Sequence, residues 1–200
     1  MKAFPALDQL ITCFGRLPGI GRRSAERMAL KLVRESGRLL PELIAALETV
    51  RDNVRCCSKC GSITSLGEEP CRLCTSPARQ ATVLCVVEDP NDILLIERSG
   101  SFDGRYHALM GKLSPMRGEG PEDLRVEALV RRVGVEGIRE VILALSTDVA
   151  GDATASYLAE RLRGTAVQVT RLAFGIPAGS GIAYSDPVTL ERAMKGRQQA

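Results

Sequence analysis

The sequence predicts a multidomain chain with α+β and α/β parts: a helical N-terminal domain, a small four-cysteine module, a parallel α/β domain and a short C-terminal extension. Three observations predict this. Apolar residues recur at helical spacing up to about residue 55, two Cys-x-x-Cys pairs follow, and from residue 81 short apolar strands alternate with helical segments. We place the domain boundaries at 1–53, 54–78, 79–172 and 173–200.

The N-terminal domain contains a glycine-rich turn between its first two helical runs. Gly19 and Gly21 permit a tight turn that side chains would block. The free amides that open the next helix form an anion site. The positive charges of Arg23 and Arg27 near this end are unfavourable beside the positive end of the helix dipole, and a bound phosphate would compensate for them. The pattern indicates a helix-hairpin-helix that binds the DNA backbone; the alternative is a plain helix–helix turn with solvated arginines.

The second module carries two cysteine pairs at metal-ligand spacing. Ten residues separate the first pair from the second, and the four ligands predicted are Cys57, Cys60, Cys71 and Cys74. Four thiolates close a tetrahedron around Zn²⁺, which leaves no open position for catalysis and predicts one structural zinc per chain. Redox chemistry is the alternative, weakened because both pairs occur together without a thioredoxin-like surround. Cys56 adjoins the first ligand, but the two-residue spacing favours its neighbour.

The α/β domain is predicted from a rhythm of strands and helices. Strands are expected at 82–87, 106–110, 140–145 and 166–172, and helices at 90–98, 121–133 and 152–162, with a last helix at 187–195. Pro121 is expected in the first turn of its helix. Such alternation favours a mostly parallel sheet covered by helices.

Acidic residues follow two of these strands. Glu88 comes after the first strand, Asp148 after a later one, and Asp152 opens the next helix. The pattern resembles a Toprim domain, although Asp148-Val-Ala lacks the second aspartate of the usual Asp-x-Asp. Three interpretations stay open: a Mg²⁺ site of a nuclease or primase-like enzyme with Glu88 as acid–base, a non-catalytic surface, or, for Asp152, a simple helix cap.

Composition excludes several classes of function. One histidine, His107, rules out a two-histidine metal site and is expected to be a packed residue; seven aromatics without tryptophan argue against a base-stacking platform. No signal peptide or membrane span is evident, so we expect a cytoplasmic, nucleoid-associated protein. The net charge of +3 divides into +5 over residues 1–80 and −2 over residues 81–200, which predicts that the first part meets nucleic acid and the second meets protein.

The order of hairpin, four cysteines and Toprim-like domain resembles the RecR family of bacterial recombination mediators. The segments that carry the resemblance are 17–29, the four cysteines, 86–92, 106–115, 118–121 and 171–179. It implies a non-enzymatic protein of gap repair that forms tetrameric rings as DNA clamps, partners RecO and RecF, and helps load RecA onto single strands. It places Arg23 and Arg27 against DNA, and Glu88 with the 148–152 turn on the partner-binding face.

One departure from the family pattern lies in that turn. Family members carry an acidic residue before the turn glycine, where this chain has Ala150-Gly151. The stretch after Gly175 resembles the segment that the family describes as Walker-B-like. Without a Walker A loop we expect it to serve subunit exchange within a ring. A protein–protein adaptor whose hairpin touches no DNA is the remaining alternative.

Overall fold

The computed structural model describes residues 4–176 and 179–197, and divides the chain into two compact units, Met1–Val54 and Arg55–Ala200. Two residues of the 171–179 segment, Pro177 and Ala178, therefore lie outside the described residues, as do the first three and last three residues. No helix among the described residues is both long and apolar enough to cross a bilayer.

The first unit consists of three helices, as predicted. They are α1 (Pro5–Gly15), α2 (Arg22–Arg34) and α3 (Leu39–Asn53). Proline in the first turn starts α1, and the turn before α2 contains Gly19 at a φ of +77°, a conformation that costs glycine little. Helix α2 buries Ala25, Ala29 and Leu32 on one face.

The second unit begins with the cysteine module. Strands β1 (Val54–Cys56) and β2 (Ile63–Ser65) form a two-stranded sheet, and the short helix α4 (Arg72–Thr75) follows. These elements are too short to enclose an apolar core. The buried residues here are instead the four cysteines themselves, together with Gly61, Ser62 and Thr64.

A four-stranded parallel sheet forms the body of the second unit and confirms the α/β prediction. Its strands are β3 (Gln80–Val87), β4 (Gly104–Ala108), β5 (Glu140–Ala144) and β6 (Gln168–Arg171), in the order β4-β3-β5-β6. The helices that connect or follow them are α5 (Pro90–Ser99), α6 (Val126–Val135), α7 (Val149–Arg161) and α8 (Pro187–Lys195).

Helices cover both faces of this sheet. On one face Leu84, Val86 and Val141 pack with residues of α6 and α7. On the other, Cys85, Val87 and Tyr106 pack with Ile93 of α5. Burial on both faces explains the nearly continuous apolar run of β3, which is typical of a central parallel strand.

Several predicted element ends shift by one or two residues, and the structure gives a reason for three of the corrections. Pro121 does not open the long helix: it begins a separate 3₁₀ turn, Pro121–Asp123, because buried Leu124 is extended (φ −103°, ψ 155°) and α6 starts only at Val126. Strand β4 ends at Ala108, since Met110 has a φ of +66°. Helix α7 begins at Val149, three residues earlier than predicted.

The cap of α7 is Asp148 and not Asp152. The Asp148 carboxylate accepts a 2.7 Å hydrogen bond from the amide of Gly151, which satisfies one free amide of the first turn. Asp152 lies inside that turn. The carboxyl ends of β3 and β5 are neighbours in the sheet, so the residues that follow these two strands meet at one place.

Candidate functional site

The four cysteines of the two Cys-x-x-Cys pairs lie together. Their sulfur atoms are all within 4.8 Å of one another, and all four side chains are buried. Sγ of Cys71 lies 3.4 Å from that of Cys60 and 3.9 Å from that of Cys74. Four sulfurs at about 2.3 Å from a zinc ion stand about 3.8 Å apart in a tetrahedron, so the donor set and its spacing fit this metal.

Backbone amides hold the sulfurs in place. The amide of Ser62 donates to Sγ of Cys60, and the amide of Cys71 donates to Sγ of Cys57, both at 3.4 Å. Burial raises the pKa of the Cys71 thiol to about 12. This thiol stays protonated at neutral pH unless a cation replaces its proton, which is the role a bound metal would play. Cys56, the neighbour of the first pair, is exposed and lies outside the cluster.

Two arginines seat the turn between Cys57 and Cys60 on the parallel sheet. Arg125 donates to the carbonyls of Ser58, Lys59 and Ala108, and Arg132 donates to those of Lys59 and Tyr106. The carbonyl of Cys60 also accepts a 2.8 Å hydrogen bond from the amide of Ala108 in β4. Hydrogen bonds to main-chain carbonyl groups therefore hold the cysteine module against the sheet domain.

His107 is a packed residue, as predicted. It is fully buried in β4; its Nε2 lies 2.9 Å from the carbonyl of Arg125 and its Nδ1 lies 3.4 Å from Arg132. Burial lowers the pKa of His107 to about 3. The imidazole is therefore neutral at physiological pH, with Nε2–H donating and Nδ1 accepting.

Helix α2 carries a row of exposed basic residues. Arg23, Arg27 and Arg34 lie within an arc of about 40° around the helix, at about 100° per residue, whereas the buried Ala25, Ala29 and Leu32 lie on the opposite side. Within the part of the chain that the structure describes, these three arginines form no ion pair. Their charges are therefore available to an external anion.

The glycines of the hairpin leave the start of α2 open. Gly21 is the N-cap residue and supplies no capping side chain, and the first amide bonded within the helix is that of Ala25, to the carbonyl of Gly21. The preceding amides of the first turn point out of the helix beside Arg23. Gly19 allows the chain to turn at its positive φ.

Basic residues of the cysteine module are engaged differently. Arg55 pairs with Glu69, Lys59 with Glu136 and Arg72 with Glu68, and Arg79, directly after the module, pairs with Glu97. These pairs neutralise the module locally. These residues count toward the charge of +5 over residues 1–80, but within the described residues they are paired, whereas Arg23, Arg27 and Arg34 of α2 are not.

Two of the three acidic residues predicted at the carboxyl end of the sheet come together. Oε1 of Glu88 accepts hydrogen bonds from the amide and hydroxyl of Ser146, at 2.7 and 2.6 Å. The Ser146 hydroxyl also lies 3.0 Å from Oδ1 of Asp148. Lys112 completes this group, with its Nζ 2.5 Å from Asp148 and 3.7 Å from Glu88. We call Glu88, Lys112, Ser146 and Asp148 the acidic turn cluster.

Asp152 belongs to a different set of contacts. Its Oδ1 accepts from Arg171 at 2.7 Å and its Oδ2 from Arg192 at 2.8 Å. Both guanidinium groups also lie over the ring of Phe174, at 5.2 and 4.9 Å from its centre. Asp152 therefore fastens α8 to the end of β6.

Comparison with known proteins follows the same order along the chain. Residues 7–51 match the family described as RecR, helix-hairpin-helix, residues 82–173 match the Toprim domain, and residues 175–198 match RecR, C-terminal. The match to the Toprim domain accords with the parallel sheet and with the position of Glu88 after its central strand.

Curated relatives cover essentially the whole chain. The Recombination protein RecR of Thermobifida fusca is 46% identical over 193 residues, which is 96% of each chain. Those of Syntrophotalea carbinolica and Chlorobaculum tepidum are 44% and 43% identical, over 100% and 96% of this chain and 99% and 96% of theirs. This identity extends over nearly the full length of the chain, and residues 7–51 and 175–198 match RecR families. The chain therefore belongs to the RecR family of recombination proteins.

Proposed function

We propose that this protein is a non-enzymatic DNA clamp and scaffold of recombinational gap repair, which acts with RecO and RecF to promote RecA loading on single-stranded DNA. The observation that carries the DNA-binding part is the row of unpaired arginines on α2. Membership of the family supports the proposed partners. We also propose the domain limits 1–53, 54–78, 79–172 and 173–200, and a cytoplasmic, nucleoid-associated location.

Helix α2 suits the phosphate backbone because its charges lie in a line. Arg23 and Arg34 are separated by about 16 Å along the axis, at about 1.5 Å per residue. No aromatic side chain of α2 lies among them, and we infer that the guanidinium groups neutralise phosphates without reading bases. Gly19 and Gly21 bring the open helix start beside Arg23, where a phosphate would meet both amides and guanidinium.

The test is the salt dependence of DNA binding by the Arg23→Ala/Arg27→Ala variant. The slope of log affinity against log salt falls by about 0.7–0.9 for each phosphate that the protein no longer neutralises. The matched control is Arg161→Ala/Arg163→Ala, which removes the same charge from exposed ion pairs on the second unit. We expect a weaker affinity and a flatter slope for the first variant alone; identical slopes for wild type and variant would refute the assignment.

We propose that Cys57, Cys60, Cys71 and Cys74 bind one structural zinc ion per chain. Zinc would supply the folding free energy that this module lacks, since its strands and helix enclose no apolar core. Elemental analysis is expected to find one zinc per chain in the wild type and a loss of zinc, with misfolding, in Cys60→Ser. A wild-type protein without bound metal would contradict the assignment.

We propose that the face containing Glu88, Asp148 and Asp152 binds protein partners and that the chain assembles into a tetrameric ring. Weak backbone binding by one hairpin then gains strength because several hairpins act on one DNA molecule. The C-terminal segment would exchange between subunits. Measuring mass in solution with and without DNA tests ring assembly and DNA engagement together, and a monomer under both conditions would overturn the ring.

The competing function is that of a Toprim nuclease or primase-like enzyme. It needs Glu88 as acid–base and Asp148 with Asp152 as magnesium ligands. Incubation of the purified protein with DNA and RNA in the presence of Mg²⁺, alongside Glu88→Gln, separates the two. Turnover that this substitution abolishes would establish the enzyme, and we expect none.

A further inference from the structure

Lys112 lies between the two carboxylates of the acidic turn cluster. Its Nζ is 2.5 Å from Oδ2 of Asp148, 3.1 Å from the hydroxyl of Ser146 and 3.7 Å from Oε2 of Glu88. The ammonium group donates hydrogen bonds to Asp148 and Ser146, and the Glu88 carboxylate lies at ion-pair distance. The lysine side chain is about 20% exposed and that of Glu88 about 17%, so this contact is largely shielded from solvent, whereas the side chain of Asp148 is about 56% exposed.

The main chain on both sides of Lys112 is pinned to the same region. The amide of Gly111 donates to the carbonyl of Glu88 at 3.0 Å, and the amide of Leu113 donates to the hydroxyl of buried Thr154 in α7 at 2.9 Å. These bonds fix the origin of the lysine side chain beside the strand that carries Glu88. The ammonium group is therefore built into the cluster by the backbone.

The remaining oxygen atoms of the cluster are also engaged. Oε1 of Glu88 accepts from the amide and hydroxyl of Ser146, and Oδ1 of Asp148 accepts from the amide of Gly151. Asp152 is held by Arg171 and Arg192, so it supplies no further ligand. The hydrogen bond from Lys112 holds the pKa of Asp148 near about 2, so the ion pair persists at neutral pH.

This arrangement does not fit the magnesium ion that the Toprim pattern implies. Mg²⁺ requires carboxylate oxygens and waters in an octahedron at about 2.0–2.1 Å, whereas here the carboxylate oxygens that face each other share an ammonium group. A divalent cation would have to displace Lys112 and would then be repelled by it. We propose that Lys112 is the permanent counter-ion of Glu88 and Asp148. These two carboxylates therefore need no divalent metal ion to balance their charge.

The inference rests on the cluster itself and not on DNA binding or on any partner. Its test compares Mn²⁺ binding, measured by electron paramagnetic resonance of the free ion, for the zinc-loaded wild type and Lys112→Met. Methionine keeps the apolar stem but removes the charge. The matched control is Lys195→Met, which removes one charge from an exposed pair with Glu191 on α8. Circular dichroism and zinc content establish that each variant is folded.

We expect Lys112→Met to bind one Mn²⁺ at least tenfold more tightly than wild type or Lys195→Met, and Glu88→Gln in that background to abolish the gain. Equal binding by Lys112→Met and the control would overturn the proposal. The wild type provides a second measurement that needs no folded lysine variant. If the wild type binds Mn²⁺ with a dissociation constant below about 1 mM and Glu88→Gln abolishes this binding, the proposal is overturned. If the wild type binds Mn²⁺ no more tightly than Glu88→Gln does, the proposal is supported.

Discussion

Replacement of Gly151 by alanine tests how the acidic turn is built. A Cβ atom at this position would lie 2.1 Å from the carbonyl oxygen of Ser146 and 2.5 Å from its hydroxyl. Carbon and oxygen atoms need more than about 3.3 Å, so the main chain of Ser146 would have to move by about 1 Å. A backbone carbonyl, unlike the end of a long side chain, cannot turn aside.

The cost follows from the bonds that Ser146 makes. Its amide and hydroxyl both donate to Glu88, and a hydrogen bond to a charged group contributes about 1.5–3 kcal/mol. Disturbing both costs about 3–6 kcal/mol, against a gain of about 1 kcal/mol for alanine over glycine in a helix. We expect Gly151→Ala to lower the free energy of unfolding by about 2–5 kcal/mol.

Gly134→Ala is the matched control, because Gly134 lies in helix α6 with nothing within 4 Å of the added Cβ. We expect it to raise stability by about 0.5–1 kcal/mol. The assay is urea denaturation of the zinc-loaded full chain, followed by circular dichroism. Equal midpoints for wild type and Gly151→Ala would refute the packing of Gly151 against Ser146.

Three further predictions concern other parts of the second unit. Gly61→Ala should reduce zinc retention against a chelator, because Gly61 has a φ of +85° and an added Cβ would lie 2.5 Å from the guanidinium of Arg125. Gly67→Ala in the same module should retain zinc as the wild type does, because nothing lies within 4 Å of its added Cβ. Burial lowers the pKa of His107 to about 3, from an ordinary value of about 6.5. The neutral imidazole therefore contributes fully to stability above pH 6.5, and this contribution is lost as pH falls toward 3, by up to about 1.4 kcal/mol per pH unit. His107→Gln should show a shallower loss of unfolding free energy between pH 6.5 and 5.5 than the wild type. Asp152→Asn should accelerate amide hydrogen exchange in α8, and Glu191→Gln, which breaks an exposed pair on the same helix, should not; equal exchange in the two variants would contradict the anchoring role of Asp152.

Features set by local spacing could be predicted from the sequence. The four cysteines are recognisable because a Cys-x-x-Cys turn brings its own two sulfurs together, and the arginines of α2 because helical periodicity separates them from Ala25 and Ala29. The parallel sheet follows from apolar strands that alternate with helices. Helix starts were less predictable: Pro121 has the φ of a helix start, but burial of Leu124 in extended conformation interrupts the helix.

Features set by distant parts of the chain could not be predicted. Lys112 lies in the segment 106–115 that carries the family resemblance, but its spacing along the chain does not place it against Glu88 or Asp148. It meets them because β4 and β5 both pair with β3 in the sheet. The pairing of Asp152 with Arg171 and Arg192 likewise depends on where α8 packs. Arg132 did leave a signal, since it lies among Leu129 and Val133 on the apolar side of α6, where a buried arginine needs carbonyl or carboxylate partners.

The seating of the cysteine module has a consequence for solubility. Strand β4 ends the order of the sheet, and an uncovered edge strand is a template for pairing with another chain. Three main-chain groups of β4 are engaged by partners other than β3: the carbonyl of Tyr106 by Arg132, the carbonyl of Ala108 by Arg125, and the amide of Ala108 by the carbonyl of Cys60. The cysteine module thus covers this edge together with the two arginines that seat it. Its collapse on metal loss would free the amide of Ala108 and would favour concentration-dependent aggregation through β4.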